Sequence, residues 1–197
     1  MLKLFHAPRS RSTRILWLLE EIGAPYEIDY VSIRRGDGSG EADPRNPHPD
    51  KKVPALVADG ELVTESSAIV LYLTDAHAHA RLGPTVGEPR RGEYLGWLSY
   101  SAGVIEPALF AIARGQAEGD FTAAAWGDPR NMERRLVETL SKGPYVLGEQ
   151  FSGADILISS AVQFAVRLLP GHPEFERYLA RCNERPAFQR AMAKDEA

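Results

Sequence analysis

Cysteine is almost missing from this chain. Its 197 residues include one, Cys182, which excludes an internal disulfide framework, a CxxC redox pair and a thiolate zinc cluster. Positive charge is not in excess either: the net charge of −4 offers no global footprint for nucleic acid. No run approaches the ~20 apolar residues of a membrane span. Met1 to Pro8 is too short and too polar for a signal peptide, so the expectation is a cytoplasmic protein with no membrane partner. A GxSxG elbow is absent, which leaves the Ser, His and Asp residues without an anchor for a hydrolase triad. His77 and His79 stand two apart with no thiolate nearby, a poor metal site, and no metal is expected. Gly36, Gly38 and Gly40 follow a strand pattern, but no amphipathic helix comes next, so they read as a flexible loop.

What is present is ordinary in amount and informative in order. Apolar residues are 44% and charged residues 25%, typical of a globular chain. This length buries about 70% of the unfolded surface, in one domain or two small ones. Lys3–Phe5 reads as a short strand, and Ser12–Ile22 as a helix with Ile15, Leu16, Leu18, Leu19 and Ile22 on its apolar face and Arg14, Glu20 and Glu21 outside it. Gly23 and Pro25 stop that helix. Tyr26–Val31 alternates as a strand, and 36–52 is an irregular connection. Ala55–Ala58 and Leu62–Val63 flank Asp59-Gly60, a hairpin turn signal, and a helix starts near Glu65.

Residues 77–89 read as a linker. Beyond them only helices are expected: a long pattern over 90–118 with Tyr94, Trp97, Leu98, Ser101 and Ile105 on one face, then 129–142, 153–168, 173–184 and 186–194. Pro107 should kink or divide the first. The fold class is α+β, a βαβ-ββα unit followed by an all-α one, with domains at 1–78 and 89–197 and a linker at 79–88.

Four short stretches carry candidate chemistry. HAPRSRST puts Arg9, Arg11 and Arg14 at a helix end that is already electropositive, unfavourable by roughly 0.3–1 kcal/mol each unless an anion sits in front. Of Ser10, Ser12 and Thr13, one is expected to cap the helix. Val53-Pro54 precedes a strand; a trans bond is the ordinary expectation, while a cis bond would turn the Val53 backbone toward an extended ligand. Thr64-Glu65-Ser66-Ser67 opens a helix whose free N–H groups can cap or can bind a carboxylate. Ser152-Gly153-Ala154-Asp155 is a capping box, with Phe151 and Ile156 spaced as a hydrophobic staple; losing the Asp155 carboxylate should cost about 1–2 kcal/mol.

Taken in order, FHAPRSRSTRILWLLEEIGAPYEIDYV, HPDKKVPAL and DGELVTESSAIVLYL resemble the thioredoxin-like domain of the cytosolic glutathione transferases. Residues 88–197, with FSGADILI, resemble the family's helical domain. The resemblance implies a bacterial-type detoxification enzyme, with glutathione as co-substrate, that conjugates the thiolate to small, largely apolar electrophiles, and it implies a homodimer. Val53 and Pro54 match the element that pairs with the cysteinyl part of glutathione. Glu65 and Ser66 match the pair that holds the γ-glutamyl end, and Lys52 a residue near the glycine carboxylate. Where the family usually has glycine, Lys51 stands; either the loop is less tight or Lys51 shares the carboxylate.

The sulfur contact is a tyrosine in some classes and a serine or cysteine in others. No tyrosine precedes Tyr26. Ser10, two residues after Pro8, best matches the serine classes; aligning on Gly23 puts Arg11 at the bacterial cysteine position with Ser12 beside it. Ser10 is taken first and Ser12 second. Lowering a thiol pKa of about 8.5 by two units takes about 2.7 kcal/mol. One hydrogen bond to the anion supplies ~1.5–3 and a helix N-terminus ~0.3–2 kcal/mol. Tyr100, Ser101 and Val104 are candidate wall residues for the second substrate, expected between the first helix and the first helix of the second domain. Two rivals stand beside conjugation: a glutathione-dependent peroxidase or thiol–disulfide reductase on the same fold, and a non-catalytic binding or regulatory member.

Overall fold

The computed structural model describes residues 1–115, 128–165, 167, 169 and 171–196. Its described chain divides into two units, Met1–Ala76 with Arg185–Ala197, and His77–Glu184.

The first unit runs β1 (Leu2–His6), α1 (Ser12–Ile22), β2 (Tyr26–Tyr30), β3 (Ala55–Ala58), β4 (Glu61–Thr64) and α2 (Ser66–Ala76). The sheet order is β2-β1-β3-β4, with β1 parallel to β2 and the other neighbours antiparallel. Asp59 and Gly60 both have positive φ (50° and 91°), the backbone that a two-residue hairpin turn demands. Gly23 ends α1 at φ 71°, its N–H on Leu19 O, where only glycine is free of a side-chain penalty. The core is Leu4 and Leu56 on the central strands with Ile15, Leu16, Leu18, Leu19, Ile69 and Leu73, all fully buried.

A last helix, designated α8 (Pro186–Asp195), also belongs to this unit. The sequence expectation placed it with the helical domain; it packs along α1 instead. That contact explains why Leu16, Trp17, Leu18 and Leu19 are all buried: α1 is covered on more than one side. Glu20 and Glu21, expected on an outer face, point at α8. Arg185 donates to Glu21 through Nε (2.6 Å) and Nη2 (2.8 Å). Arg190 Nε (2.7 Å), Lys194 Nζ (2.5 Å) and the Tyr26 hydroxyl all donate to the Glu20 carboxylate. Burial acts to raise the Glu20 pKa, but these donors overcome it and hold it at about 2. The Trp17 and Phe188 rings meet edge to face at 5.0 Å.

The second unit holds α3 (Arg91–Tyr100), α4 (Glu106–Ala113), α5 (Pro129–Leu140), α6 (Gly153–Phe164) and α7 (Pro173–Asn183). Tyr94, Trp97, Leu98, Ser101 and Ile105 are all buried, as their spacing predicts. Helical backbone continues through Pro107. A π-helical stretch, Ser101–Ile105, joins α3 to α4 and widens the turn where the proline ring would strike the carbonyl four residues back. The part of the long pattern over 116–118 lies outside the described residues, as do 166 and 168 of the helix expected over 153–168. Arg91–Ala113 is thus one 23-residue helix, long and apolar enough by length and composition to cross a membrane, with mean hydropathy 1.3 over its most apolar window. Counting uninterrupted apolar runs passes over it, because Glu93 and Glu106 break the run. Tyr94, Trp97 and Leu98 are buried in its own unit, and a third of that window is buried in all.

α6 starts with the capping box. Ser152 N and Ser152 Oγ each donate to Asp155 Oδ2 at 2.9 Å. Val146 N (2.9 Å) and the Tyr178 hydroxyl (3.1 Å) donate to Oδ1. Burial nevertheless pushes the Asp155 carboxyl up to about 6, the four donors only moderating it.

Candidate active site

Strand register gathers the candidate segments of the first unit at one end of its sheet. Phe5 pairs with Ala55, and Ala55 with Thr64. The loop after β1 (Ala7–Arg11), the lead into β3 (Lys51–Pro54) and the start of α2 (Glu65–Ser66) therefore lie side by side. Ala7 and Val53 share one apolar cluster with Phe5, Val31 and Ala55.

The β1–α1 loop is tied down from several directions. Ser10 Oγ donates to Ala7 O (2.7 Å), accepts from Ser12 N (3.2 Å) and lies 2.8 Å from Ser12 Oγ. It thus takes one of the orphan N–H groups of α1, from one position before the N-cap residue, Arg11. Arg35 Nη2 donates to Pro8 O at 3.0 Å. Ser10 is half-buried, whereas Ser12 is wholly buried, its Oγ 2.7 Å from His6 Nδ1. Thr13, expected among the caps, donates its hydroxyl to Asp195 Oδ1 at 2.5 Å.

The electropositive start of α1 meets a carboxylate from within the chain. Asp195, the last residue of α8, accepts from Arg9 N (3.0 Å) and Thr13 Oγ1, and its Oδ1 is 3.2 Å from His6 Nε2. A carboxylate is disfavoured at the C-terminus of its own helix and favoured at the N-terminus of α1, so one contact serves both helix ends. Burial lowers the His6 pKa, with Asp195 opposing, so the ring is neutral near pH 7.

Asn46 shapes the second segment. It is fully buried; Nδ2 donates to Lys52 O (2.9 Å) and Oδ1 accepts from His48 N (3.0 Å). Lys51 has left-handed backbone, at φ 54°. Its Nζ folds back onto Asn46 O at 2.7 Å, turned into the loop, while Lys52 is exposed. The Val53–Pro54 bond is cis. At the third segment Glu65 is exposed at φ 66°, and Ser66 is the half-buried first residue of α2.

In the second unit the candidate wall residues do not share one environment. Ser101 is buried, Tyr100 and Val104 are half-buried, and the Tyr100 ring lies under the Arg135 guanidinium at 4.0 Å. Among the described residues no group of three or more His, Cys, Asp or Glu gathers to hold a metal ion. His77 and His79 do bring their rings to 5.7 Å, across a 3-10 turn at Ala78–Ala80.

Sequence reasoning missed His6, Asn46 and Asp195. Asn46 had a local signal, an Asn-Pro pair opening a turn-rich loop. Asp195 had none, since its partners lie more than 180 residues away.

Comparison with known proteins bears on both units. Residues 1–75 match the family model described as "Glutathione S-transferase, N-terminal domain", and residues 107–186 that of its C-terminal domain. Glutathione S-transferase GstA of Escherichia coli O157:H7 is 25% identical over 98% of both chains. A glutathione S-transferase structure from Actinobacillus pleuropneumoniae superposes with a TM-score of 0.85 at 27% identity, covering 100% of this chain and 94% of that one. A sphingomonad glutathione S-transferase complexed with glutathione gives 0.78 at 29% identity, over 98% of each chain.

Proposed function

The chain belongs to the glutathione S-transferase family, and from that premise we propose that it is a transferase that holds the glutathione thiolate on Ser10 and passes the sulfur to small, largely apolar electrophiles. One observation carries this reading. Six non-glycine residues among those described have positive φ, and three of them, Arg9, Lys51 and Glu65, fall one in each segment at the same end of the sheet. Left-handed backbone costs roughly 1–2 kcal/mol per residue. It persists where the surroundings over-determine it, and it gathers at ligand sites.

In this reading the backbone of Val53 and Pro54 meets the cysteinyl part of glutathione, Glu65 and Ser66 hold the γ-glutamyl end, and Lys52 faces the glycine carboxylate. Burial supports Ser10 over Ser12 as the sulfur contact, because Ser12 has no exposed surface. Ser10 acts as a hydrogen-bond donor to the sulfur anion and not as a nucleophile. Asp195 already neutralises part of the positive end of α1, so the Ser10 hydrogen bond carries most of the thiol's pKa shift. The bound thiolate attacks an electrophilic carbon, with orientation adding to the lowered pKa. Tyr100, Ser101 and Val104 stay candidates for the electrophile's surroundings, and two copies of the chain associate.

Retention on immobilised glutathione followed by a chloronitroaromatic conjugation assay is the test. Ser10→Ala should cut kcat/KM about 10- to 100-fold, the value of one hydrogen bond to a charged group, while retention survives. A crippled Ser12→Ala beside an unaffected Ser10→Ala would pass the role to Ser12. Retention without conjugation favours a peroxidase or reductase, and no retention a binding module. Elution as a monomer at micromolar concentration would remove the dimer.

A further inference from the structure

Three polar side chains, two from the β1–α1 junction and one from the far end of the chain, meet behind Ser10. His6 ends β1, Ser12 opens α1 and Asp195 closes α8, with exposures of 0%, 0% and 4%. Ser12 Oγ is 2.7 Å from His6 Nδ1. His6 Nε2 is 3.2 Å from Asp195 Oδ1, inside ion-pair range although without the alignment of a hydrogen bond. These are the residue types of a serine-hydrolase relay. The fully buried Ser12 hydroxyl cannot reach a substrate carbonyl, so the group has another use.

The protons can be followed one by one. A carboxylate facing Nε2 selects the tautomer that carries its proton there, since a bare ring nitrogen against an anion is repelled. Nδ1 is then an acceptor, and Ser12 must donate its single hydroxyl proton to it. Ser12 Oγ in turn accepts from Ala7 N at 3.2 Å. Ser10 keeps its proton. That proton has Ala7 O at 2.7 Å and Ser12 Oγ at 2.8 Å as acceptors, while Ser12 N holds Ser10 Oγ from behind at 3.2 Å.

We infer that His6 and Asp195 are positioning residues: they commit the Ser12 proton inward and leave Ser10 as the only one of these two hydroxyls free to turn its proton to a sulfur anion. The identity of that anion rests on the glutathione reading above; the direction of the relay does not.

The test has two arms on the full chain. Nitrogen-15 ring shifts of His6 in the parent protein should report a protonated Nε2 and a bare Nδ1. A proton on Nδ1 would overturn the inference, and this arm needs neither a variant nor glutathione. Asp195→Asn lets an amide N–H face Nε2 and drives the proton to Nδ1. Ser12 must then donate toward Ser10 Oγ or Ala7 O, the groups that hold Ser10. Conjugation should fall about tenfold in kcat, the worth of one ordinary hydrogen bond, with the KM for glutathione changed less than about twofold. His6→Phe, which keeps a ring and removes the acceptor, should give the same fall. Loss of a negative charge alone acts the other way: it favours the thiolate and raises the rate on the acid side. A raised or unchanged kcat in either folded variant therefore sinks the positioning role. A parent that does not conjugate fails the transferase reading while its His6 spectrum still decides the relay.

Discussion

Glu20 in the first unit and Asp155 in the second are both buried at structural junctions, and the two are held in opposite ways. Glu20 in the first unit is met by two cations, Arg190 and Lys194, with the Tyr26 hydroxyl. Asp155 in the second is met by four neutral donors, from Val146, Ser152 and Tyr178. The cations carry Glu20 down to about 2 against its burial, whereas the neutral donors leave Asp155 at about 6. Glu20 has enough donors to overcome its burial, whereas the complete burial of Asp155 outweighs the donors around it.

The largest effect should come from Asp155→Ala. The sequence alone suggested about 1–2 kcal/mol. The structure adds the Val146 N–H and the Tyr178 hydroxyl to the donors left unpaired in a dry interior, and the cost rises to about 3 kcal/mol. A urea midpoint close to the parent's would show that these donors find other partners. Glu20→Ala should cost less, about 1–2 kcal/mol, because the Arg190 and Lys194 side chains are 53% and 45% exposed and can turn to water. A cost above that of Asp155→Ala would reverse the comparison.

The two carboxyls also differ in pH dependence, with opposite signs. Glu20 contributes stability that is present above its ordinary 4.5 and lost as pH falls to about 2. Asp155 contributes stability that is full below its ordinary 3.8 and lost as pH rises through about 6. Glu20→Gln should therefore flatten the acid limb of a stability profile and Asp155→Asn the limb between 3.8 and 6. Limbs of the same sign in both variants would contradict this contrast between donors and burial.

The same contrast explains what was legible before the structure. Ser152 and Asp155 are three residues apart, so one helical turn brings them together and the motif announces itself. Tyr26–Tyr30 and the Asp59-Gly60 turn are equally local, and the whole sheet follows from such signals. Glu20 reads as a solvated outer residue because its cations come from residues 190 and 194. The one clue was the unbroken Leu16–Leu19 run, too apolar for a helix with a single buried face. At the candidate site, Ser10, Val53, Pro54, Glu65 and Ser66 lie in contiguous motifs. His6 stayed invisible because a histidine ending a strand has no meaning until Asp195 faces it. At the start of α1 the chain itself supplies a carboxylate, Asp195, to the Arg9 backbone N–H and the Thr13 hydroxyl, which no local pattern announces.

The first unit is discontinuous in sequence, and order of synthesis gives that a consequence. Residues 1–76 leave the ribosome roughly a hundred residues before α8, about 5–20 s at ordinary elongation rates. Through that interval Glu20 and Glu21 have no cations, the second face of α1 is bare and His6 has no carboxylate opposite. A nascent chain therefore passes through a stage in which that apolar helix face lacks its partner, and only the arrival of residues 185–195 supplies it.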